Sequence, residues 1–162
     1  MSRLTACFAE LKASGKKALI PYIVAGDPTP DITVACMHAM VAAGANVLEL
    51  GVPFSDPMAD GPTITLGHER ALARHVSLRT VLAMVSEFRR QDAITPIVLM
   101  GYLNPVEMMG YGAFADACAT AGIDGVLTVD MPPEEADDLM AEYARVGIDP
   151  IYLLAPTTTM AR

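Results

Sequence analysis

The chain has no tryptophan, only four phenylalanines, and no lysine after Lys17. The lysine gap removes a Schiff-base aldolase, which needs an amine at a strand end. The three histidines, His38, His68 and His75, fall on expected helices or their ends and make no HxH or HExxH pattern. They read as surface or packing residues, and no metal site is expected. Three widely spaced cysteines, Cys7, Cys36 and Cys118, form neither a CxxC nor a Cys/His cluster. That argues against a disulfide framework or a zinc site and for ordinary buried thiols. No GxSxG elbow is present, and no GxGxxG follows the first expected strand. No apolar run approaches the roughly 18 residues that a membrane span needs. The stretch Met1 to Lys17 is polar and mixed in charge, without a signal-peptide apolar region. A cytoplasmic protein is expected, and its net charge of -8 disfavours nucleic acid as a partner.

What is present is apolar and periodic. Hydrophobic residues make up 52% of the chain and mean hydropathy is +0.37, enough for one core and a single globular domain. Short apolar runs at 18–24, 46–51, 96–100, 125–129 and 150–154 read as strands. Helical spacing is read at 2–14, 30–43, 63–74, 78–91, 111–121 and 133–146. Three helix-to-strand joints share one design: AGAN at 43–46, AGID at 121–124 and VGID at 146–149. A glycine ends each helix and a polar residue leads into the next strand. Alternating strands and helices imply a parallel sheet, either doubly wound or a (β/α)8 barrel. Five βα units are too few to close an eight-stranded barrel, so a barrel chain of this kind would be a piece of one.

The segment Leu48 to Pro62 carries the chemistry. Alternation puts Val47, Glu49 and Gly51 on one face of a strand and Leu48 and Leu50 on the other. In a barrel the leucines would face the helices, leaving Glu49 inward near the strand's C-terminal end, where barrel active sites gather. A carboxyl group there loses hydration, and a proton-donating form becomes available near neutrality. An inward glutamate also fits a structural role, paired with an arginine or capping a loop. In the following loop, Pro53, Pro57, Gly61 and Pro62 restrict the backbone and hold Asp56 and Asp60 at two points. Either aspartate suits a functional role or a turn, and spacing does not choose between them. Tyr22, Met100, Tyr102, Leu127, Val129 and Leu153 lie at or near strand ends and offer an apolar, partly aromatic lining.

The blocks LELGVPFSDPMADGPTI (48–64), PIVLMGYLNPV (96–106), DGVLTVDMPPEEA (124–136) and PYIVAGDP (21–28) are similar to the signature blocks of tryptophan synthase alpha chains. The likeness runs over the whole chain and keeps the blocks in order. It implies the (β/α)8 TIM barrel, here about its first five βα units, and residues 1–162 as the N-terminal part of a single domain. It also implies retro-aldol cleavage of indole-3-glycerol phosphate to indole and glyceraldehyde 3-phosphate, in the last stage of tryptophan biosynthesis. Glu49 then matches the acid-base group and Asp60, rather than Asp56, the carboxylate that meets the indole N–H. Tyr102 and Leu127 match pocket positions. The loop with Pro53, Asp56 and Pro57, together with Asn104 and Pro132, resembles the surface that meets a tryptophan synthase beta subunit in a heterotetramer. Pyridoxal phosphate belongs to that beta partner, and no cofactor is expected in this chain.

Two departures stand out. Thr65 occupies a position where the family usually has glutamine. The family chain also continues for roughly another hundred residues, in line with the length of such barrels. The substrate phosphate site and the last three strands are expected in that part, so this stretch alone is expected to be inactive or nearly so. Two other readings differ in class: a non-catalytic module that docks on a beta subunit, and a different phosphate-binding barrel lyase or isomerase.

Overall fold

The computed structural model describes residues 2–159. Helix α1 (Arg3–Ala13) starts at Ser2, whose hydroxyl accepts the Thr5 N–H, and stops before Gly15 at φ +66°. Strand β1 (Tyr22–Val24) is followed by a 3-10 turn at Pro30–Ile32 and α2 (Thr33–Ala42). Strand β2 (Leu48–Gly51) leads through a long loop to α3 (Pro62–Leu72) and α4 (Leu78–Phe88). Next come β3 (Ile97–Gly101), α5 (Leu103–Met109), α6 (Tyr111–Ala121) and β4 (Gly125–Thr128). A 3-10 turn at Pro133–Glu135, α7 (Asp137–Val146) and β5 (Asp149–Ile151) complete the described elements.

All strand pairs are parallel and the sheet order is β1-β2-β3-β4-β5. Sequential order without a reversal is the winding of a (β/α)8 barrel; a doubly wound sheet would reverse at a switch point. The two sheet faces differ as alternation requires. Leu48 and Leu50, 1% and 0% exposed, pack with Ile97, Leu99 and the helix residues Val85, Phe88, Phe114 and Tyr143. Burying each such leucine contributes roughly 1.5–3 kcal/mol. The opposite, inner face clusters Val47, Val98 and Leu127 with Leu4 of α1, and with half-buried Met100, Val129 and Ile151. Helix α1 thus covers the inner face from below.

The three similar joints have one structural reason. Gly44, Gly122 and Gly147 all take positive φ, +105°, +88° and +78°, which turns the chain from helix into strand. The polar residue that follows ties the new strand to its surroundings. Asn46 Oδ1 accepts the Leu19 N–H at 2.8 Å, and Asp149 Oδ2 accepts the Ser2 hydroxyl at 2.5 Å. Asp124 is 4% exposed and receives Arg3, Arg89 and the Ile97 N–H at 2.9, 2.8 and 2.9 Å.

Besides shifts of a few residues at several element ends, two strand boundaries and one helix depart from the sequence pattern. Strand β1 begins at Tyr22 rather than 18; Pro21 has no N–H, and only its carbonyl joins the ladder, accepting from Glu49. Strand β5 ends at Ile151, its last ladder partner being Leu127, so Tyr152 to Leu154 lie beyond the sheet. No element was expected between Met100 and Tyr111, where α5 forms. Its Pro105 stands at the third helical position, in the first turn, where the missing N–H breaks no helical bond. Of the cysteines, Cys118 is buried but Cys7 and Cys36 are only half-buried.

Candidate active site

The site is built from β1, β2, the residue that follows β3 and the loop between β2 and α3. Glu49 sits on the inner face of β2, its backbone in register with Tyr22 on one side and Val98 on the other. It lines a cavity of about 450 Å³ with Leu4, Val47, Val98, Leu127 and Asp149. Burial raises the Glu49 carboxyl above its ordinary value, because the mostly apolar wall solvates the charged form poorly. A proton-holding carboxyl is thereby brought closer to neutral pH.

Gly51, two residues on and on the same face, makes room for Tyr22. A Cβ there would overlap the Tyr22 phenol, with its ring carbons at 2.7 and 2.9 Å. That phenol is held well above its usual range, first by burial and then by the charges of Asp60 and Glu49. Tyr22 therefore lies within the field of both carboxylates.

The loop after β2 separates its two aspartates by what they touch. Asp56 is exposed and accepts the hydroxyl of its neighbour Ser55 at 2.5 Å, while its carbonyl accepts the Met58 N–H. That is the behaviour of a turn residue. Asp60 instead turns inward, its side chain 8% exposed, and accepts the Tyr102 hydroxyl on Oδ2 at 2.7 Å. Tyr102 is 3% exposed, stacks on Phe54 at 5.0 Å, and accepts the Ala59 N–H at 3.1 Å. Its phenol is pushed up to about 12 by burial and by its bond to Asp60. One buried hydroxyl thus joins the end of the loop to the end of β3.

His68 was unforeseen here. Grouped with His38 and His75 as a surface or packing residue, it is 3% exposed and faces Asp60. Ile64, His68 and Ala71 fall at i, i+4 and i+7 on α3, the spacing of a face turned inward, which was the one available signal. Its Nδ1 accepts the Phe54 N–H at 3.2 Å, so the neutral ring carries its proton on Nε2, 3.5 Å from Asp60 Oδ2. Burial lowers the His68 pKa, opposed by the Asp60 charge, and favours that neutral ring. Asp130 was also missed: its Oδ1 accepts the Leu103 N–H at 2.7 Å, capping α5 from the loop after β4.

The remaining expected lining is divided. Met100, Leu127 and Val129 belong to the inner face, whereas Leu153 lies past β5, 61% exposed, on the wall of a second cavity of about 630 Å³ that Val129 and Pro132 also line. Of the expected partner-facing residues, Asp56 and Asn104 are exposed, Pro57 and Pro132 half-buried, and Pro53 buried within this chain. Pro53 stands two residues past the end of β2, at the exit from the strand. Among the described residues no group of three His, Cys, Asp or Glu side chains is placed to hold a metal ion.

A family model for the tryptophan synthase alpha chain matches residues 8–162. The tryptophan synthase alpha chain of Thioalkalivibrio sulfidiphilus is 66% identical over 162 residues, covering 100% of this chain and 61% of that one. The crystal structure of tryptophan synthase subunit alpha from Legionella pneumophila superposes with a TM-score of 0.97 at 52% identity, over 99% of this chain and 62% of that chain. A chain of the tryptophan synthase complex from Pyrococcus furiosus matches with a TM-score of 0.83 at 42% identity, over 88% of this chain and 58% of that one. The chain thus spans about three-fifths of the length of the curated relatives it matches. With the family model covering nearly all of it, the chain belongs to the tryptophan synthase alpha chain family.

Proposed function

We propose that this chain carries the acid-base residues of a lyase that cleaves indole-3-glycerol phosphate to indole and glyceraldehyde 3-phosphate. The observation that carries the reading is two unlike carboxyl groups that both act on the Tyr22 phenol: Glu49, raised by an apolar wall, and Asp60, held by Tyr102. Two carboxyls in different environments are suited to different roles.

The roles follow from the bond to be broken. Neutral Glu49 donates its proton to C3 of the indole ring, which places positive charge on the ring nitrogen. The Asp60 carboxylate accepts the indole N–H and stabilises that charge, more strongly in the transition state than in the ground state. Glu49, now ionised, takes the proton of the glycerol C3' hydroxyl. The carbon–carbon bond then breaks, its electron pair returns to the ring, and C3' leaves as the aldehyde. Tyr22, Met100, Tyr102 and Leu127 supply the wall against which the indole ring packs, and Val129 and Leu153 extend it toward the second cavity.

This chemistry needs no cofactor from the chain. A pyridoxal phosphate site requires a Schiff-base lysine, and the only lysines, Lys12, Lys16 and Lys17, are exposed. That group is assigned to a beta subunit, as in a heterotetrameric tryptophan synthase. The exposed Asp56 and Asn104, with Pro57 and Pro132, form the surface offered to it. A cytoplasmic setting is part of the proposal; no helix of the described residues is long and apolar enough to cross a membrane.

The test is product analysis with a complete alpha subunit carrying these residues. Equal amounts of indole and glyceraldehyde 3-phosphate from indole-3-glycerol phosphate are expected. Tight binding to a beta subunit with no indole release would favour the docking-module reading instead.

A further inference from the structure

His68 stands outside the two-carboxylate scheme, yet it is the residue that touches both ends of the loop carrying Asp60. From β2 the chain leaves through Phe54 and returns to α3 at Pro62. His68, in the middle of α3, accepts the Phe54 N–H with Nδ1 at 3.2 Å, and its Nε2 lies 3.5 Å from Asp60 Oδ2. Nε2 is buried and has no closer partner. Because the hydrogen bond at Nδ1 fixes the tautomer, the remaining N–H has only the carboxylate to meet.

Resting on the reading of function above, we propose that His68 is a positioning residue for Asp60. It clamps the loop at Phe54 and directs an Nε2–H at Oδ2, alongside the Tyr102 hydroxyl. Both protein donors then serve one oxygen, which turns Oδ1 toward the indole N–H. The 3.5 Å separation is longer than an ordinary hydrogen bond, so in this state the Nε2–H acts on Oδ2 as an oriented dipole. His68 touches no reacting atom. Its effect runs through the direction in which Asp60 points, and small errors of direction are costly in rate.

The experiment uses a complete alpha subunit carrying these residues. His68→Ala is expected to lower kcat about 10-fold with KM changed far less, since Asp60 acts mainly on the charge that develops in the transition state. His68→Asn retains an acceptor near the position of Nδ1 but no donor toward Asp60. It is expected to restore the Phe54 contact yet leave most of the kcat loss in place, and full recovery by it would overturn the proposal. In an Asp60→Asn background, His68→Ala is expected to cost no further factor, as for residues that act as one unit. A folded His68→Ala protein with kcat within about 2-fold of the parent would overturn the proposal, as would a full additional loss in the Asp60→Asn background. A parent that releases no indole would instead refute the reading of function. The imidazole nitrogen resonances then decide the clamp: an Nε2–H signal that moves on Asp60→Asn upholds it, and one that does not move overturns it.

Discussion

Glu49 and Asp60 are the same chemistry in different company. Glu49 has a mostly apolar wall and gains a raised pKa; Asp60 has a phenol donor and gains a fixed direction. The first carries a stability consequence with a definite sign. A carboxyl whose folded pKa lies above its unfolded value binds more protons when folded, so stability falls as pH rises through that interval. Glu49→Gln removes the buried charge. The variant is expected to be more stable than the parent at pH 8, with the difference vanishing as pH falls below the unfolded glutamate range. Thermal unfolding of both proteins across that pH range checks it, and such a gain is the usual counterpart of a strained functional group. The second carboxylate depends on Tyr102. Tyr102→Phe keeps the ring stacked on Phe54 but leaves Asp60 and the Ala59 N–H without their common partner. Lyase kcat is expected to fall about 10-fold, because Asp60 loses the donor that fixes its direction toward the reacting ring. A Tyr102→Phe protein as active as the parent would remove the phenol from the account.

At the scale of elements, the sheet is tied together at the bottom, and the proposed acid-base pair lies toward the top. The joint before β4 is the tightest tie: Asp124 binds Arg3 of α1, Arg89 at the end of α4 and the backbone of β3. Arg89 is itself largely buried and also donates to the carbonyls of Gly122, Asp92 and Thr95. Asp124→Ala strands that guanidinium and the Ile97 N–H, and is expected to cost about 3–5 kcal/mol in urea unfolding. Arg3→Ala, at a side chain 37% exposed, is expected to cost no more than about 1 kcal/mol. The order of the strands and of every helix but α5, the inward Glu49 and the glycine joints were legible in the sequence, because each rests on local periodicity or a single turn. What escaped depends on distant pieces meeting. Helix α5 hides behind Pro105 and its flanking glycines. The part played by His68 exists only once the loop from Phe54 to Asp60 folds back on α3. The two aspartates of that loop were indistinguishable by spacing, and part company only by their partners.

At the scale of the molecule, one face of the sheet is covered by α2, α4, α6 and α7, while on the inner face α1 and the sheet enclose a cavity between them. Phe8 and Ile20, 46% and 43% exposed, stand at the rim of that cavity. The apolar surface of the inner wall is the setting that raises Glu49, so fold and chemistry share one cause. That link makes the acid-base role of Glu49 the central claim, and the most direct measurement is kcat for indole release from indole-3-glycerol phosphate. It is made with a complete alpha subunit carrying these residues, parent beside Glu49→Gln, at saturating substrate. The account predicts a loss of at least about 10²-fold with KM little changed, as for a positioned acid-base group. A loss smaller than about 10-fold would contradict it and move the proton transfer to another residue.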